Sequence, residues 1–290
     1  MSKARFIIAC DGTACSEYLG NDKSPLTNVS RITRAIKSRD ERSGQECRQI
    51  AVYLPGIGTD EGNLFNRSNQ AIGQGLNSLI LKGYTFLSDN WEEGDEIILI
   101  GYSRGAFAMR CLADFVIHRG IMPQQNLHTL PNNFKEWIEG GSDCGDVRPR
   151  SGIKIKVCAL WDTVASMGSP LAPENQLGRF SFAHSDLLED IEYAFQALSL
   201  HERRRHFRPI VWRYLNPVGN EYSKNLEQCW FAGYHNDVGG NGEKGVLAHF
   251  ALAWLIAKLE PYVAISHETL WDGLLPINAW KRSRGDLVLS

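Results

Sequence analysis

The sequence predicts an α/β fold, a mainly parallel sheet with helices on both faces, and three observations carry that expectation. Strand-like apolar runs alternate with helix-like apolar spacings along the N-terminal part of the chain, an order that implies right-handed crossovers between parallel strands. The run Ile97-Ile98-Leu99-Ile100 enters the turn Gly101-Tyr102-Ser103-Arg104-Gly105 and leaves it as the apolar helix start Ala106-Phe107-Ala108. The 290 residues, 43% hydrophobic and 22% charged, have the composition of a soluble globular chain that can bury one large core or two modest ones. A single domain over residues 1–290 is expected, with an insertion or lid at 120–152.

Arg5 to Cys10 reads as the first strand, ending in Asp11-Gly12-Thr13. Asn28 to Ser38 follows as a helix with apolar residues at Val29, Ile32, Ala35 and Ile36. Gln49 to Leu54 is the next strand, closed by Pro55-Gly56-Ile57-Gly58, and Ala71 to Trp91 is a long helix bearing Ile72, Leu76, Leu79, Ile80, Gly83 and Phe86. The strand and helix around Ser103 come directly after it. Residues 120–152 are rich in Pro, Asn, Gly and Asp and break the rhythm, which marks the insertion. Ile153 to Trp161 resumes it as a strand. Beyond lie an expected helix from Leu187 to Arg205, strands at Ile210 to Tyr214 and Cys229 to Ala232, and a helix from Val246 to Leu259.

The Gly-x-Ser-x-Gly sequence has chemical meaning in that setting. A strand turning sharply into a helix holds the central serine in strained geometry, and the flanking glycines leave room for the turn. Ser103 is therefore the candidate nucleophile. A serine needs a base to take its proton and an acid to orient the base, and in α/β-hydrolases these follow along the chain as acid, then histidine. Asp162 ends the apolar strand Val157-Cys158-Ala159-Leu160-Trp161, at the sheet edge where Ser103 emerges. His235 lies where the strand Trp230-Phe231-Ala232 runs into a glycine-bearing loop, and it is the preferred base. The other histidines, His118, His128, His184, His201, His206, His249 and His267, read as surface or packing residues. The oxyanion of an acyl-transfer intermediate would take the backbone N–H of Arg104 and a second N–H from Gly12 or Thr13.

Other chemistries fit less well. Cys10-Asp11-Gly12-Thr13 has the end of a phosphatase Asp-x-Asp-Gly-Thr loop, but position 9 is alanine, so the first carboxylate is missing. His201-Glu202-Arg203-Arg204-Arg205-His206 resembles a zinc-protease motif, yet histidines at this spacing diverge by about 140° around a helix. Seven cysteines without a Cys-x-x-Cys pattern argue against a disulfide framework and against structural zinc, and they read as reduced thiols. A net charge of −2, with Arg203-Arg204-Arg205 the one basic block, gives no reason to expect a nucleic-acid partner. That block reads as a solvated helix face or a contact for lipid phosphates. No apolar run approaches a membrane span, and Met1-Ser2-Lys3-Ala4-Arg5 does not open a signal peptide. The expected location is cytoplasmic, unless a dedicated secretion system exports the chain.

Taken together, Cys10-Asp11-Gly12-Thr13, Thr27-Asn28-Val29, Tyr53 to Thr59, Gly101 to Ala106, Trp161 to Gly168, Ala197 to Phe207 and Trp230 to Gly240 resemble the domain family that supplies the catalytic part of type VI secretion phospholipase effectors. The resemblance implies an α/β-hydrolase-like fold and acyl-ester hydrolysis by Ser103, Asp162 and His235. It also implies an ester or phospholipid substrate and a peripheral membrane contact. In the hydrolase pattern the acid follows a later strand than the one ending at Asp162, so Asp237 stands as a rival acid. The expected activity is that of a lipase or phospholipase working through an acyl-enzyme, with no cofactor and no metal. The alternatives are a small-ester or thioester hydrolase with a capped pocket, and a binding module that uses the fold without catalysis.

Overall fold

Cys10 and Tyr102, the last residues of two neighbouring parallel strands, mark the edge of the sheet at which Asp11 and Ser103 follow. The computed structural model describes residues 3–13, 15, 26–44, 46–58, 69–141, 149–165, 186–213, 225–241 and 245–271. Strand β1 (Ala4–Cys10) is apolar on both faces because it lies inside the sheet, between β3 (Cys47–Leu54) and β4 (Glu96–Tyr102). Outward from β4 follow β5 (Ile155–Trp161), β6 (Ile191–Ser199) and β7 (Leu226–Phe231), all parallel. The short β2 (Arg39–Asp40) closes the other edge and is antiparallel to β3. β1 thus lies inside the sheet, and its neighbour β4 leads directly into Ser103. The expected fold class is the one observed.

Alternation along the strands divides the core into two layers. Phe6 and Ile8 face one side, where they meet Leu76, Ile80 and Tyr84 of α2 (Asn69–Asn90) and Phe107 and Leu112 of α3 (Ser103–Arg119). Ile7 and Ala9 face the other side, against Val29 and Ile32 of α1 (Asn28–Ala35) and Leu252, Leu255 and Ile256 of α6 (Gly245–Leu259). Thr27 caps α1, its hydroxyl accepting the Ser30 N–H at 3.1 Å. The helix stops at Ala35 rather than Ser38 because Ile36 turns extended and pairs with Ile265.

Residues 120–141 contain a 3-10 turn at Gln124–Thr129 and helix α4 (Leu130–Ile138). Phe134 and Trp137 of α4 pack on Phe115 with ring centroids 5.4 and 4.9 Å apart. α3 runs back from Ser103 for 17 residues, about 25 Å at 1.5 Å per residue, so this part of the insertion packs at the end of α3 away from Ser103. Residues 142–148 lie outside the described residues. No helix among the described residues is long and apolar enough to cross a membrane.

The C-terminal part departs from expectation twice. Leu187 to Arg205 is not a helix, since Ile191–Ser199 forms β6 between β5 and β7. Its Ala, Gln and Leu residues favour helix, but Ala194, Phe195, Gln196, Ala197, Leu198 and Ser199 are all buried, and a strand covered on both faces shows no polar alternation to betray it. Ile210 to Tyr214 forms no ladder strand over its described residues. The Ile210 N–H donates to the Thr163 carbonyl at 2.8 Å, and Trp212 exchanges hydrogen bonds with the Gln228 side chain at 2.8 and 3.0 Å, so tertiary contacts replace strand pairing. Tyr214 lies outside the described residues. His201 and His206 consequently do not share a helix, and Arg205–Phe207 is one 3-10 turn.

Candidate active site

Ser103 has φ 58°, a left-handed conformation that a serine adopts only under constraint. The constraint is steric. A Cβ on Gly101 would stand 2.6 Å from Ala106 Cα, and one on Gly105 would enter the carbonyl oxygens of Cys10 and Asp11. The glycines let β4 turn directly into α3 while α3 presses against the end of β1, and the serine hydroxyl is left at the edge of the sheet.

Asp162 follows the last residue of β5 and is completely buried. Its Oδ1 accepts the Ser199 N–H at 2.7 Å, and its Oδ2 accepts the Ser199 hydroxyl at 2.8 Å. His235 Nδ1 lies 2.6 Å from the same Oδ2, and His235 Nε2 lies 2.8 Å from Ser103 Oγ. With the carboxylate ionised, Nδ1–H donates to Asp162 and Nε2 is left to accept the serine proton. The structure thus brings Ser103, Asp162 and His235 into one hydrogen-bonded chain. The Asp237 carboxylate instead accepts the Tyr234 N–H at 2.8 Å, at the start of the short α5 (His235–Gly239), so the rival acid holds the loop and does not meet His235 Nδ1.

The imidazole is fixed by contacts that the sequence did not disclose. Tyr102 stacks on it at 4.9 Å between centroids, tilted by 30°, and Phe207 meets it at 5.1 Å and 62°. The His235 N–H donates to Glu202 Oε2 at 3.3 Å. The guanidinium of Arg204, stacked 3.9 Å over the Phe207 ring, donates to both Glu202 oxygens at 2.9 and 2.7 Å. Those bonds hold the Glu202 carboxyl down at about 2. His201 joins the two strand ends, its Nδ1 accepting the Gly233 N–H at 2.9 Å. Asn28 anchors the far end of α5, donating to the Val238 carbonyl at 2.9 Å. Ser199 and Glu202 fall in the stretch that reads as a helix and Phe207 just after it, and a strand buried on both faces has no period-2 alternation that would have found them.

The loop after β1 abuts Ser103, since a Cβ on Gly12 would lie 3.1 Å from Ser103 Cβ. Its donors differ from expectation. The Gly12 N–H is committed to Asp11 Oδ1 at 2.7 Å, while Asp11 Oδ2 accepts the hydroxyls of Thr27 and Tyr53, each at 2.6 Å. Burial pushes the Asp11 carboxyl up, against the lowering effect of these three bonds. Gly12 therefore supplies clearance in this arrangement rather than a donor. Thr13, the next residue, has a buried hydroxyl with no hydrogen-bond partner among the described residues. Arg104 follows Ser103 in the first turn of α3.

A family model described as the catalytic domain of Tle1-like phospholipase effectors of the type VI secretion system matches residues 4–258. The uncharacterized Saccharomyces cerevisiae protein YEL023C is 26% identical over 253 residues, covering 73% of this chain and 33% of its own length. The crystal structure of an uncharacterized protein from Pseudomonas aeruginosa superposes with a TM-score of 0.60 at 19% identity, over 97% of this chain and 51% of that one. A Tle1 effector bound to the VgrG spike of the type VI system aligns with a TM-score of 0.46 at 20% identity, over 85% of this chain and 53% of that one. The chain thus spans about a third of the length of the curated relative and about half that of these solved structures.

Proposed function

Since the chain belongs to the family of Tle1-like phospholipase effector catalytic domains, we propose that it is a serine hydrolase that cleaves carboxylic esters of phospholipids through an acyl-enzyme. The observation that carries the reading is the relay of 2.8 Å from Ser103 Oγ to His235 Nε2 and 2.6 Å from Nδ1 to Asp162, with the serine held at φ 58°. In the first half-reaction Ser103 Oγ attacks the ester carbonyl carbon while His235 Nε2 takes the hydroxyl proton. The carbonyl oxygen becomes an oxyanion facing the backbone N–H groups of Thr13 and Arg104. Collapse breaks the bond to the alkoxy oxygen, which leaves as an alcohol with the proton from His235. Water then repeats the sequence on the acyl-enzyme, releasing the carboxylic acid and restoring Ser103. Asp162 remains ionised throughout and stabilises the imidazolium.

The test is labelling with a fluorophosphonate probe, comparing the native protein with Ser103→Ala, together with turnover of short esters, long esters and phospholipids. Ser103-dependent labelling with phospholipid turnover is expected. Turnover of short esters alone would favour the capped esterase, and absence of labelling in the native protein would favour a binding module.

A further inference from the structure

The segment after β6 reaches the active site, where Phe207 meets the His235 ring and Glu202 accepts the His235 N–H, and it borders a surface rim that combines exposed apolar and cationic side chains. Leu198 pairs in register with Trp230, and side chains two apart along a strand share a face, so Leu200 and Trp230 project to the same side as diagonal neighbours. Leu198 is fully buried, whereas Leu200 is 58% exposed and Trp230 49%. Tyr234 is 54% exposed, its ring 6.3 Å from that of His201, the residue after Leu200. Single exposed apolar residues are ordinary, but Leu200 and Trp230 at the ends of two paired strands, with Tyr234 beside His201, make a patch.

The charge of the rim is equally distinct. Residues 200–208 contain four arginines, Arg203, Arg204, Arg205 and Arg208, against one carboxylate, Glu202, in a chain whose net charge is −2. Glu202 is spent inward on Arg204 and the His235 N–H. Arg203, Arg205 and Arg208 are exposed and form no ion pair among the described residues. Phe207, between them in sequence, touches the His235 ring. Arg205 and Arg208 thus bracket in sequence a ring that lies on the imidazole, and Tyr234 directly precedes His235 in the chain. Arginine for phosphate, with Trp and Tyr for the boundary between headgroup and acyl chain, is the complement of an anionic lipid surface.

We propose that this rim, Leu200, Arg203, Arg205, Arg208, Trp230 and Tyr234, seats the protein on an anionic phospholipid bilayer and brings the lipid ester to Ser103. The proposal rests on the phospholipase reading but names the surface, the residues and the charge of the lipid. Exposed cations near an anionic bilayer contribute about fivefold each to binding, so three arginines together contribute roughly 100-fold.

The experiment is sedimentation of the Ser103→Ala protein with vesicles of phosphatidylcholine alone or mixed with phosphatidylglycerol, at low and high salt. Binding to the mixed vesicles, weakened by salt, is expected. The triple change Arg203→Gln, Arg205→Gln, Arg208→Gln should weaken it roughly 100-fold, and the pair Leu200→Ser, Trp230→Ser should weaken it at high salt also. Placed in the otherwise native protein, both sets should leave turnover of a soluble short-chain ester within about twofold of the native rate, since neither touches Ser103, His235 or Asp162. Equal binding to neutral and mixed vesicles, or unchanged binding in both rim variants, overturns the proposal. Absence of vesicle binding with a concentration-dependent doubling of mass that the rim variants abolish overturns it in favour of a second copy on this face. Loss of ester turnover and probe labelling in the native protein is a different result, which fails the hydrolase reading rather than the docking surface.

Discussion

Asp162 divides its carboxylate between two tasks, and the division predicts what an amide would do there. Oδ1 accepts the backbone N–H of Ser199, while Oδ2 accepts both the Ser199 hydroxyl and His235 Nδ1–H. In Asp162→Asn the amide oxygen stays on the Ser199 N–H, which leaves the NH2 group facing His235. That group donates to Nδ1, so the imidazole carries its proton on Nε2 and no longer accepts one from Ser103. A loss of about 10⁴-fold in kcat with the fold intact is expected from the wrong tautomer. Soluble-ester kinetics beside a thermal melt check it, and native kcat in the variant would remove Asp162 from the mechanism. The three members of the hydrogen-bonded chain, Ser103, Asp162 and His235, were each legible as residues, because a glycine-flanked serine and polar residues at the ends of apolar strands leave a signal in sequence. Gly12 was legible as a position but not as a role, since only the hydrogen bond to Asp11 reveals that its N–H is already used.

Elements were legible where the apolar pattern had a period and illegible where burial removed it. β1, α1, β3, α2, β4 and α3 follow the expected order, because each strand is bounded by polar turns and each helix has an apolar stripe. β6 did not, since Gln196 is as buried as Ala197 and neither face of the strand marks itself. The misreading hid the turn after β6 that holds His235, and with it Glu202. The Glu202 carboxyl lies below its ordinary 4.5, at about 2, because Arg204 and the His235 N–H bind its charged form. A depressed carboxyl contributes stability above pH 4.5 and loses it as pH falls toward 2. Glu202→Gln should therefore be less stable than native protein at pH 7, and the gap should close between those two values. Urea midpoints across that range measure it, and a gap that persists at pH 2 would mean the charge is not what anchors the loop. Close approach of two elements makes a second prediction at this scale. Gly to Ala inside a helix ordinarily stabilises by about 1 kcal/mol, but a methyl at Gly105 enters the carbonyls of Cys10 and Asp11. Gly105→Ala should reverse the sign, lowering the urea midpoint and the esterase rate together, and a midpoint at or above the native one would show that α3 does not need that contact.

At the scale of the whole molecule, the chain order and the spatial order of the strands are interleaved. β1 lies between β3 and β4, so the earliest strand is interior and the sheet grows outward from it in both directions. The site draws on the same arrangement, with Ser103 after β4, Asp162 after β5, His235 after β7 and the Asp11 loop after β1, all on one edge. Both core layers share the strands, so neither layer keeps its apolar surface covered if the sheet opens. This supports one cooperative unit across the described residues. The tryptophans report on it from both sides, Trp91, Trp137 and Trp212 from the layer of α2 and α3 and Trp161 from that of α1 and α6. Unfolding in urea, followed by tryptophan fluorescence, far-ultraviolet circular dichroism and soluble-ester turnover, should give three coincident transitions with a single midpoint. Fluorescence that changes in two steps, with turnover lost in the first, would instead divide the chain into an active-site unit and a separately stable remainder. The interleaved order of the strands makes coincidence the expected result, because removing β1 from the sheet would separate β3 from β4 and release the Asp11 loop from Ser103 in the same event.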